Sequence, residues 1–342
     1  MDELDKLLQV YLRNRCPEEQ RSVVIDLERI HGGASRATYR FGLKGSDPEK
    51  QTPKRFILRL DQEASLIDTD HGNEFYAYRA FQSTDVPVPR TYWFEEDPRW
   101  LGGAFFLMEE IVGCDSSPRK IVTPPYDAVR EKIGEAYCHI LGAIARADPA
   151  ALGFTQRLET PIPDTCWRRE LDYWEAKILS SELEPQPVAR AAVRWLRRHP
   201  PPPAQKVCVV HGDYRLGNLL YDAQGKIRAV LDWEMCHLGD PLEDLAYGFN
   251  ILWTMEEPEK VGRMISRERA VALWEESSGF RAVPEALYWW EVFTSVKALG
   301  IWLDAGRKFT EGSNFDPILA HTGYIATDLQ NMILLNLLGK LA

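Results

Sequence analysis

The chain of 342 residues lacks several features that would place it in a special class of protein. It has no run of about 18 to 20 apolar residues, which is the length that a membrane-spanning helix needs. Its first residues, MDELDKLLQVYLRNR, lack the apolar stretch of a signal peptide. No segment is of low complexity, and no internal repeat is visible. These absences predict a soluble, cytoplasmic, globular protein with no membrane partner.

Paired cysteines are also lacking. The six cysteines are scattered singly, at positions 16, 114, 138, 166, 208 and 236, and none forms a C-x-x-C pair. This spacing predicts neither a structural zinc site nor a disulfide framework. Reduced, buried thiols are the expected state.

Basic charge is in deficit, since 41 Lys and Arg stand against 51 Asp and Glu for a net charge of −10. A protein that binds duplex nucleic acid by its phosphates needs the opposite balance, so nucleic acid is not expected as a partner. Hydrophobic residues make up 45% of the chain, enough for a sizeable core. The length exceeds that of one ordinary core and predicts two packed units.

The first third of the chain is patterned for a sheet. Short β-rich runs separated by Gly, Ser, Asp and Pro predict an antiparallel sheet that a single helix interrupts. The predicted strands are Val23–Ile30, Thr38–Leu43, Arg55–Leu60, Thr91–Phe94 and Ala104–Ile111, and the predicted helix is His71–Phe81.

From Tyr126 onward the apolar period becomes helical, which predicts a second part that is mainly α. Four prolines, Pro200 to Pro203, break this pattern and lead into a predicted strand at Val207–Val210. Helical patterns then return at three places, with apolar residues at 242, 245, 249 and 253, at 290, 293 and 301, and at 325, 329 and 332.

The segment after the prolines carries the most chemical information. A strand leads to His211, Gly212 and Asp213, and Asn218 follows in the sequence HGDYRLGN. A hairpin with a DAQGK turn then leads to Asp232 and Glu234. Because a hairpin brings its two ends together, the Asn218 amide and the Asp232 carboxylate can share a hard cation such as Mg²⁺. Phosphoryl transfer needs this grouping of metal ligands and a nearby carboxylate.

The ordered set H-G-D-x-x-x-x-N, hairpin and D-W-E resembles the aminoglycoside phosphotransferase family, which has the protein-kinase fold. HGDYRLGNLLYD, VLDWEMCHLGDPLEDLA and the GGAS turn are closest to the subgroup also found fused to acyl-CoA dehydrogenases. The resemblance implies an α+β, bilobal fold. Residues 1–111 would form a β-rich lobe that covers the nucleotide, and residues 112–342 a mainly helical lobe with the catalytic loop, the metal site and the acceptor site.

By this resemblance Asp213 is the catalytic base and His211 braces its loop. Asn218 and Asp232 hold Mg²⁺, and Glu234 supports a second ion or its water shell. Two further acids have alternatives. Asp240, before Pro241, is either a ligand or an N-cap, and its position favours the cap. Asp244 is expected to buttress the catalytic loop.

The first lobe would hold ATP. Between two predicted strands, Gly32, Gly33, Ala34 and Ser35 allow backbone amides to approach phosphates, although such a turn is by itself only a weak signal. Arg59 stands where many kinases have Lys and would pair with Glu74. Backbone groups from Glu109 to Ile111 would bind adenine, with Met108 beside its apolar cleft.

The implied function is ATP-dependent transfer of phosphate to a hydroxyl of a small molecule, either a metabolite such as a hydroxyacyl thioester or an aminoglycoside-like compound. After Glu234 the sequence runs straight into CHLGDPLEDLA, which leaves no room for the long activation segment with which protein kinases bind peptides. The alternative is a nucleotide-binding scaffold without catalysis, suggested by Arg59 in the place of Lys. The acceptor, the choice between ATP and GTP, and the oligomeric state stay open.

Overall fold

The computed structural model describes residues 2–30, 36–45, 53–61, 72–254 and 256–339. Its N-terminal part contains one five-stranded antiparallel sheet in the order β1-β2-β3-β5-β4, which confirms the predicted sheet with its single interrupting helix. The elements are α1 (Asp2–Arg15), β1 (Val23–Ile30), β2 (Arg36–Lys44), β3 (Lys54–Asp61), α2 (Asn73–Phe81), β4 (Thr91–Glu95) and β5 (Phe105–Glu109).

The two faces of this sheet belong to different cores because successive side chains of a strand point to opposite sides. On one face, Phe56 and Leu107 pack with Leu8 and Leu12 of α1. On the other face, side chains of β3, β5 and α2 join a larger core that continues into the C-terminal part. The residues that join it include Ile57, Phe106 and Met108 from the strands and Phe75 and Tyr78 from the helix. The sheet and the helical part are therefore packed on each other around a shared core.

The C-terminal part is mainly helical, as predicted. Its helices are α3 (Arg130–Arg146), α4 (Cys166–Ser181), α5 (Pro187–Arg198), α6 (Leu242–Gly248), α7 (Arg267–Ser278), α8 (Pro284–Thr310), α9 (Pro317–His321) and, after a π-helical turn at Thr322–Ala326, α10 (Thr327–Gly339). Its short strands are β6 (Cys114–Asp115), β7 (Cys208–Val210), β8 (Leu219–Asp222), β9 (Ile227–Val230), β10 (His237–Gly239), β11 (Lys260–Val261) and β12 (Ile265–Ser266). None of the helices described is both long and apolar enough to cross a bilayer.

Several predicted boundaries differ from the structure. The helical pattern from Leu242 to Trp253 is broken at Asn250, because the Asn250 side chain accepts a hydrogen bond from the Leu252 amide and starts a separate 3-10 turn. The fifth strand ends at Glu109, two residues before the predicted end. The division of the chain into lobes between residues 111 and 112 stays a prediction.

Candidate functional site

The loop that follows β7 has its shape set by α6. Asp244, in the first turn of α6, accepts hydrogen bonds from the backbone amides of His211 (2.6 Å) and Gly212 (2.9 Å). Gly212 has φ of +88°, and a Cβ there would lie 2.5 Å from the Met235 carbonyl oxygen. Only glycine fits this position without displacing backbone. The structure thus places Asp244 as the predicted buttress of the loop.

His211 is fully buried and holds the loop from inside. Its Nε2 lies 2.8 Å from the Leu231 carbonyl, and its Nδ1 accepts a 3.2 Å hydrogen bond from the Asp213 amide. Since Nδ1 accepts, Nε2 is the donor, which defines the tautomer. Burial lowers the pKa of His211 to about 4, so the ring is neutral at physiological pH. A neutral, hydrogen-bonded ring braces the loop and carries no charge into the site.

Both carboxylate oxygens of Asp213 have protein partners. Arg215 Nε donates to Oδ1 at 3.0 Å, and Asn218 Nδ2 donates to Oδ2 at 2.6 Å. The Tyr247 side chain on α6 adds a further hydrogen bond. Burial alone would raise the pKa of Asp213, but the charge of Arg215 and these hydrogen bonds hold it below its ordinary value. Asp213 is therefore an oriented carboxylate at neutral pH.

The hairpin β8-β9 brings Asn218 and Asp232 together. The Leu231 amide donates to the Asn218 carbonyl at 2.8 Å, so Asp232, the next residue in the chain, lies close to Asn218. Asp232 itself has φ of +69°, and its amide donates to the Tyr78 hydroxyl of α2 at 3.0 Å. Because Asn218 Nδ2 is used by Asp213, the Asn218 amide oxygen is the atom left for a cation.

Arg59 connects the sheet, α2 and the Asp232 loop. Its Nη2 lies 3.2 Å from Glu74 Oε2 and 3.2 Å from Asp232 Oδ1, and its Nη1 donates to Thr38. Glu74 is fully buried and also pairs with Arg36. Burial would raise the pKa of Glu74, but the two arginines lower it below its ordinary value. The predicted Arg59–Glu74 pair is present, and a second buried arginine supports it.

Three carboxylates crowd at this point. Ligand atoms of Glu74, Asp232 and Glu234 all lie within 4.8 Å of one another. Burial and the neighbouring negative charges raise the pKa of Asp232 and raise that of Glu234 to about 8. Carboxylate and amide oxygens are the ligands that Mg²⁺ prefers. The donor set of Asn218, Asp232 and Glu234 therefore fits this ion.

These residues border a cleft of about 390 Å³ between the sheet and the helical part. The residues that line this cleft include Arg59, Glu74, Asn218 and Asp232, together with Met108, Glu109 and Ile111. Gly32, Gly33, Ala34 and Ser35, the predicted phosphate loop, lie outside the described residues.

The predicted adenine contact involves the backbone from Glu109 to Ile111, where two amides already have partners. The Glu109 amide donates to the Arg90 carbonyl at 2.8 Å, and the Glu110 amide donates to the Arg55 carbonyl at 3.2 Å. Because these two amides already donate to backbone carbonyls at the end of β5, a base in the cleft would have to bind the Glu109 carbonyl and the Ile111 backbone.

Sequence reasoning missed four residues of this arrangement: Arg36, Tyr78, Arg215 and Tyr247. Arg215, two residues after Asp213, also stacks on the Trp253 ring at 5.1 Å, and Trp253 in turn contacts Trp302. The motif spacing could have indicated Arg215, because a residue so close to the predicted catalytic aspartate must share its loop. The other three act across long sequence separations, which no local pattern reveals.

A second buried charge cluster lies behind the catalytic loop on the strand β10. His237 Nε2 lies 3.1 Å from Glu243 and 3.8 Å from Glu170, and buried Lys297 donates to Glu243 at 2.8 Å. Asp240 is separate from this cluster. It accepts a hydrogen bond from the Leu242 amide at the start of α6, so it caps the helix as its position favoured.

We expect the His237 cluster to make stability depend on pH. Burial alone would lower the pKa of His237, but Glu170 and Glu243 raise it from 6.5 to about 9. A group whose pKa is raised on folding stabilises the protein fully below pH 6.5 and loses that effect as the pH passes 9. A shift of this size corresponds to at most about 3 kcal/mol.

Urea unfolding from pH 6 to pH 10 measures this effect. The control is His237→Gln, because Glu234 and other groups also titrate in this range. The free energy of unfolding of the wild type should fall more steeply with pH than that of the variant. Parallel curves for the two proteins would contradict the assignment to His237.

The comparisons with known proteins give the family and the fold of the chain. Residues 26–280 match the family model described as the phosphotransferase enzyme family, APH. Among curated proteins, the chain is 28% identical over 229 residues to acyl-CoA dehydrogenase family member 10 of Mus musculus, covering 65% of this chain and 20% of that protein. It is 30% identical over 209 residues to the probable acyl-CoA dehydrogenase IBR3 of Arabidopsis thaliana, covering 57% and 24%. The match thus spans about a quarter or less of each relative.

Solved structures share the fold over nearly the whole chain. A Ralstonia eutropha protein described as a candidate aminoglycoside phosphotransferase has a TM-score of 0.71 at 22% identity, with 96% of both chains covered. The aminoglycoside phosphotransferase APH(4)-Ia, in a ternary complex with AMP-PNP and hygromycin B, has a TM-score of 0.61 at 17% identity, with 96% of this chain and 97% of that chain covered. At these identities the likeness concerns the fold, an α+β kinase-like fold with a helical C-terminal part.

Proposed function

Since the chain belongs to the phosphotransferase enzyme family, we propose that it is an ATP-dependent kinase that phosphorylates a hydroxyl group of a small molecule. One observation carries the proposal. Asp213, Asn218 and Asp232 come from one loop and one hairpin, and they meet beside a cleft that the Arg59–Glu74 pair borders. Phosphoryl transfer depends mainly on such positioning and on neutralised charge.

Each residue has a distinct task in this mechanism. Asp213, oriented by Arg215 and Asn218, accepts a hydrogen bond from the acceptor hydroxyl and takes its proton as the oxygen attacks the γ-phosphate. Arg59, fixed by Glu74, contacts the phosphates of the nucleotide. Asn218 and Asp232, with support from Glu234, would hold Mg²⁺, which would supply positive charge to the transferred phosphate. The backbone from Met108 to Ile111, at the end of β5, would contact adenine, and the sequence assigns Gly32 to Ser35 to the phosphates.

The acceptor side of Asp213 favours a neutral or anionic metabolite over a polycationic aminoglycoside. Arg215 is a cation in direct contact with Asp213, and Trp253 and Trp302 extend from it as an aromatic wall. A cation at this place repels a cationic acceptor and suits one with an acidic group and an apolar body. The similarity to proteins named acyl-CoA dehydrogenases is compatible with a hydroxyacyl thioester as this acceptor.

A screen for ADP release tests the function. The protein is incubated with Mg-ATP and, in separate wells, hydroxyacyl thioesters, free hydroxy acids, choline and aminoglycosides. ADP formed only with a hydroxylated compound, and phosphate found on that compound by mass spectrometry, support the kinase. Tight binding of Mg-ATP with no ADP from any well would instead favour the nucleotide-binding scaffold, which Arg59 in place of Lys suggests.

Arg59 allows a graded prediction. We expect Arg59→Met to weaken Mg-ATP binding by roughly tenfold or more, because a charge-assisted pair contributes about 1.5 to 3 kcal/mol. The affinity of Arg59→Lys for Mg-ATP should lie between those of the wild type and Arg59→Met. One ammonium cannot reach Thr38, Glu74 and Asp232 with the geometry of a guanidinium. Isothermal titration calorimetry measures the dissociation constants.

Arg40→Lys is the matched control for this series. Arg40 lies on β2 and pairs with the exposed Glu28, outside the cleft. Its substitution should leave nucleotide affinity unchanged. Equal affinities of the wild type and Arg59→Met would contradict the assignment of Arg59 to the phosphates.

A further inference from the structure

The C-terminal helical segment, residues 317–339, and Phe315, two residues before it, present an apolar surface to solvent. Seven side chains of this surface are between 46% and 76% exposed. We call them the outer face; they are Phe315, Ile318, Tyr324, Ile325, Leu329, Met332 and Leu335. The sequence pattern at Ile325, Leu329 and Met332 had predicted a helix, and a helix is present. Its patterned residues face outward and not into the core.

Helix geometry shows that α10 is apolar on two opposite sides. At about 100° per residue, Ile325, Leu329 and Met332 fall within roughly 60° of one another. The opposite side carries the buried Leu334 and Leu337, which pack on the rest of the helical part. A surface helix normally has one apolar side, and a helix that is apolar all round is normally buried. The second apolar side of α10 therefore lacks a cover among the described residues.

Charge indicates what kind of surface could cover it. Asp328 is the single charged residue in α10, whereas the whole chain carries a net charge of −10. Two copies of so acidic a chain repel each other over most of their surfaces. The outer face is a place where two copies can meet with few like charges opposed.

The size of the outer face is close to what a dimer needs. With side chains of at most about 200 Å² that are each about half exposed, the seven residues present on the order of 700 Å². A stable protein interface buries about 800 Å² on each partner. The polar side chains of Asn336 and Asp328 lie on the same side of α10 as the outer face. An exposed apolar patch of this size on a monomer is otherwise unusual.

We propose that the outer face is a homodimer interface, in which α10 of one copy packs against α10 of a second copy about a twofold axis. The same side chains then serve both partners, as twofold symmetry requires. The proposal is independent of the catalytic function, because none of its residues belongs to the cleft.

Sedimentation equilibrium of the 342-residue chain tests the proposal over roughly 1 to 100 μM, the range in which interfaces of this size commonly associate. The wild type should reach twice the 39.2 kDa monomer mass. The double variant Leu329→Glu and Met332→Glu should stay monomeric, with a dissociation constant raised at least tenfold. Ile162→Glu is the control, since Ile162 is 63% exposed but lies in the loop before α4; it should dimerise as the wild type does.

Oxidative cross-linking gives a second measurement that does not require a buried-charge variant. Met332→Cys should form a covalent dimer on mild oxidation, and Ile162→Cys should not. A wild type that is monomeric at every concentration would overturn the proposal, as would a dimer that survives the double substitution and gives no cross-link at residue 332. Binding of a monomeric wild type to phosphatidylcholine vesicles would overturn it too and would assign the outer face to lipid.

Discussion

Asp213→Asn is expected to abolish nearly all phosphoryl transfer, with turnover lowered by about 10²- to 10⁴-fold, the usual effect of removing a general base. Asparagine keeps the shape of the side chain but cannot take the proton of the acceptor hydroxyl. Nucleotide affinity should change little, because Asp213 contacts Arg215 and Asn218 and is not among the residues that border the nucleotide cleft.

The measurement combines ADP release with the acceptor found in the screen, slow hydrolysis of Mg-ATP without acceptor, and calorimetric titration of Mg-ADP. Asp172→Asn is a matched control, since Asp172 is an exposed carboxylate that pairs with Arg197 on the helical surface. It should retain full activity. If Asp213→Asn turned over ATP at the wild-type rate, the assignment of Asp213 as the base would be wrong.

Asp232→Asn is expected to have the second large effect, on the metal and not on the proton. The carboxylate supplies both a hard oxygen ligand and a negative charge, and an amide supplies only a weaker oxygen. We expect Mg-ATP affinity to fall by at least about tenfold and the Mg²⁺ concentration for half-maximal activity to rise in proportion, because one charge of a divalent site is lost. Affinity for ATP measured without Mg²⁺ should change much less.

Titrating Mg²⁺ at fixed ATP separates this effect from a general loss of folding. The unfolding temperature of Asp232→Asn should stay near that of the wild type, because the substitution relieves the crowding of Asp232 with Glu74 and Glu234. An unchanged dependence on Mg²⁺ would rule out Asp232 as a metal ligand. Together the two variants distinguish the proton acceptor from the metal site, since one affects turnover and the other affects binding.

Much of the candidate site could be predicted because its residues are close in sequence. His211, Asp213 and Asn218 share one loop, and the hairpin β8-β9 is short enough for its turn residues to be recognised. Local hydrogen bonds then bring the side chains together. The strands of the N-terminal sheet were predictable for a similar reason, since alternation along each strand reflects the two faces that it buries.

The partners of these residues could not be predicted. Arg36 pairs with Glu74 across 38 residues, Tyr247 reaches Asp213 across 34, and Tyr78 meets the Asp232 amide across 154. Such contacts depend on how α2 and α6 pack on the loops, and side chains of many sequences can meet in that way. The sequence also could not show which backbone groups of the predicted adenine-binding segment are left for a ligand, because this depends on which amides already donate hydrogen bonds within the sheet.

The sequence by itself determined the chemical groups, their order and the fold class. Spacing within a loop, including that of the scattered cysteines, and periodicity within a strand or helix are local properties. The acidic net charge follows from composition alone. Only the tertiary structure decided which groups meet, which carboxylates lie crowded together, and which side of α10 faces solvent. The physical reason is that burial and electrostatic coupling arise between residues far apart in the chain, and packing alone sets those distances.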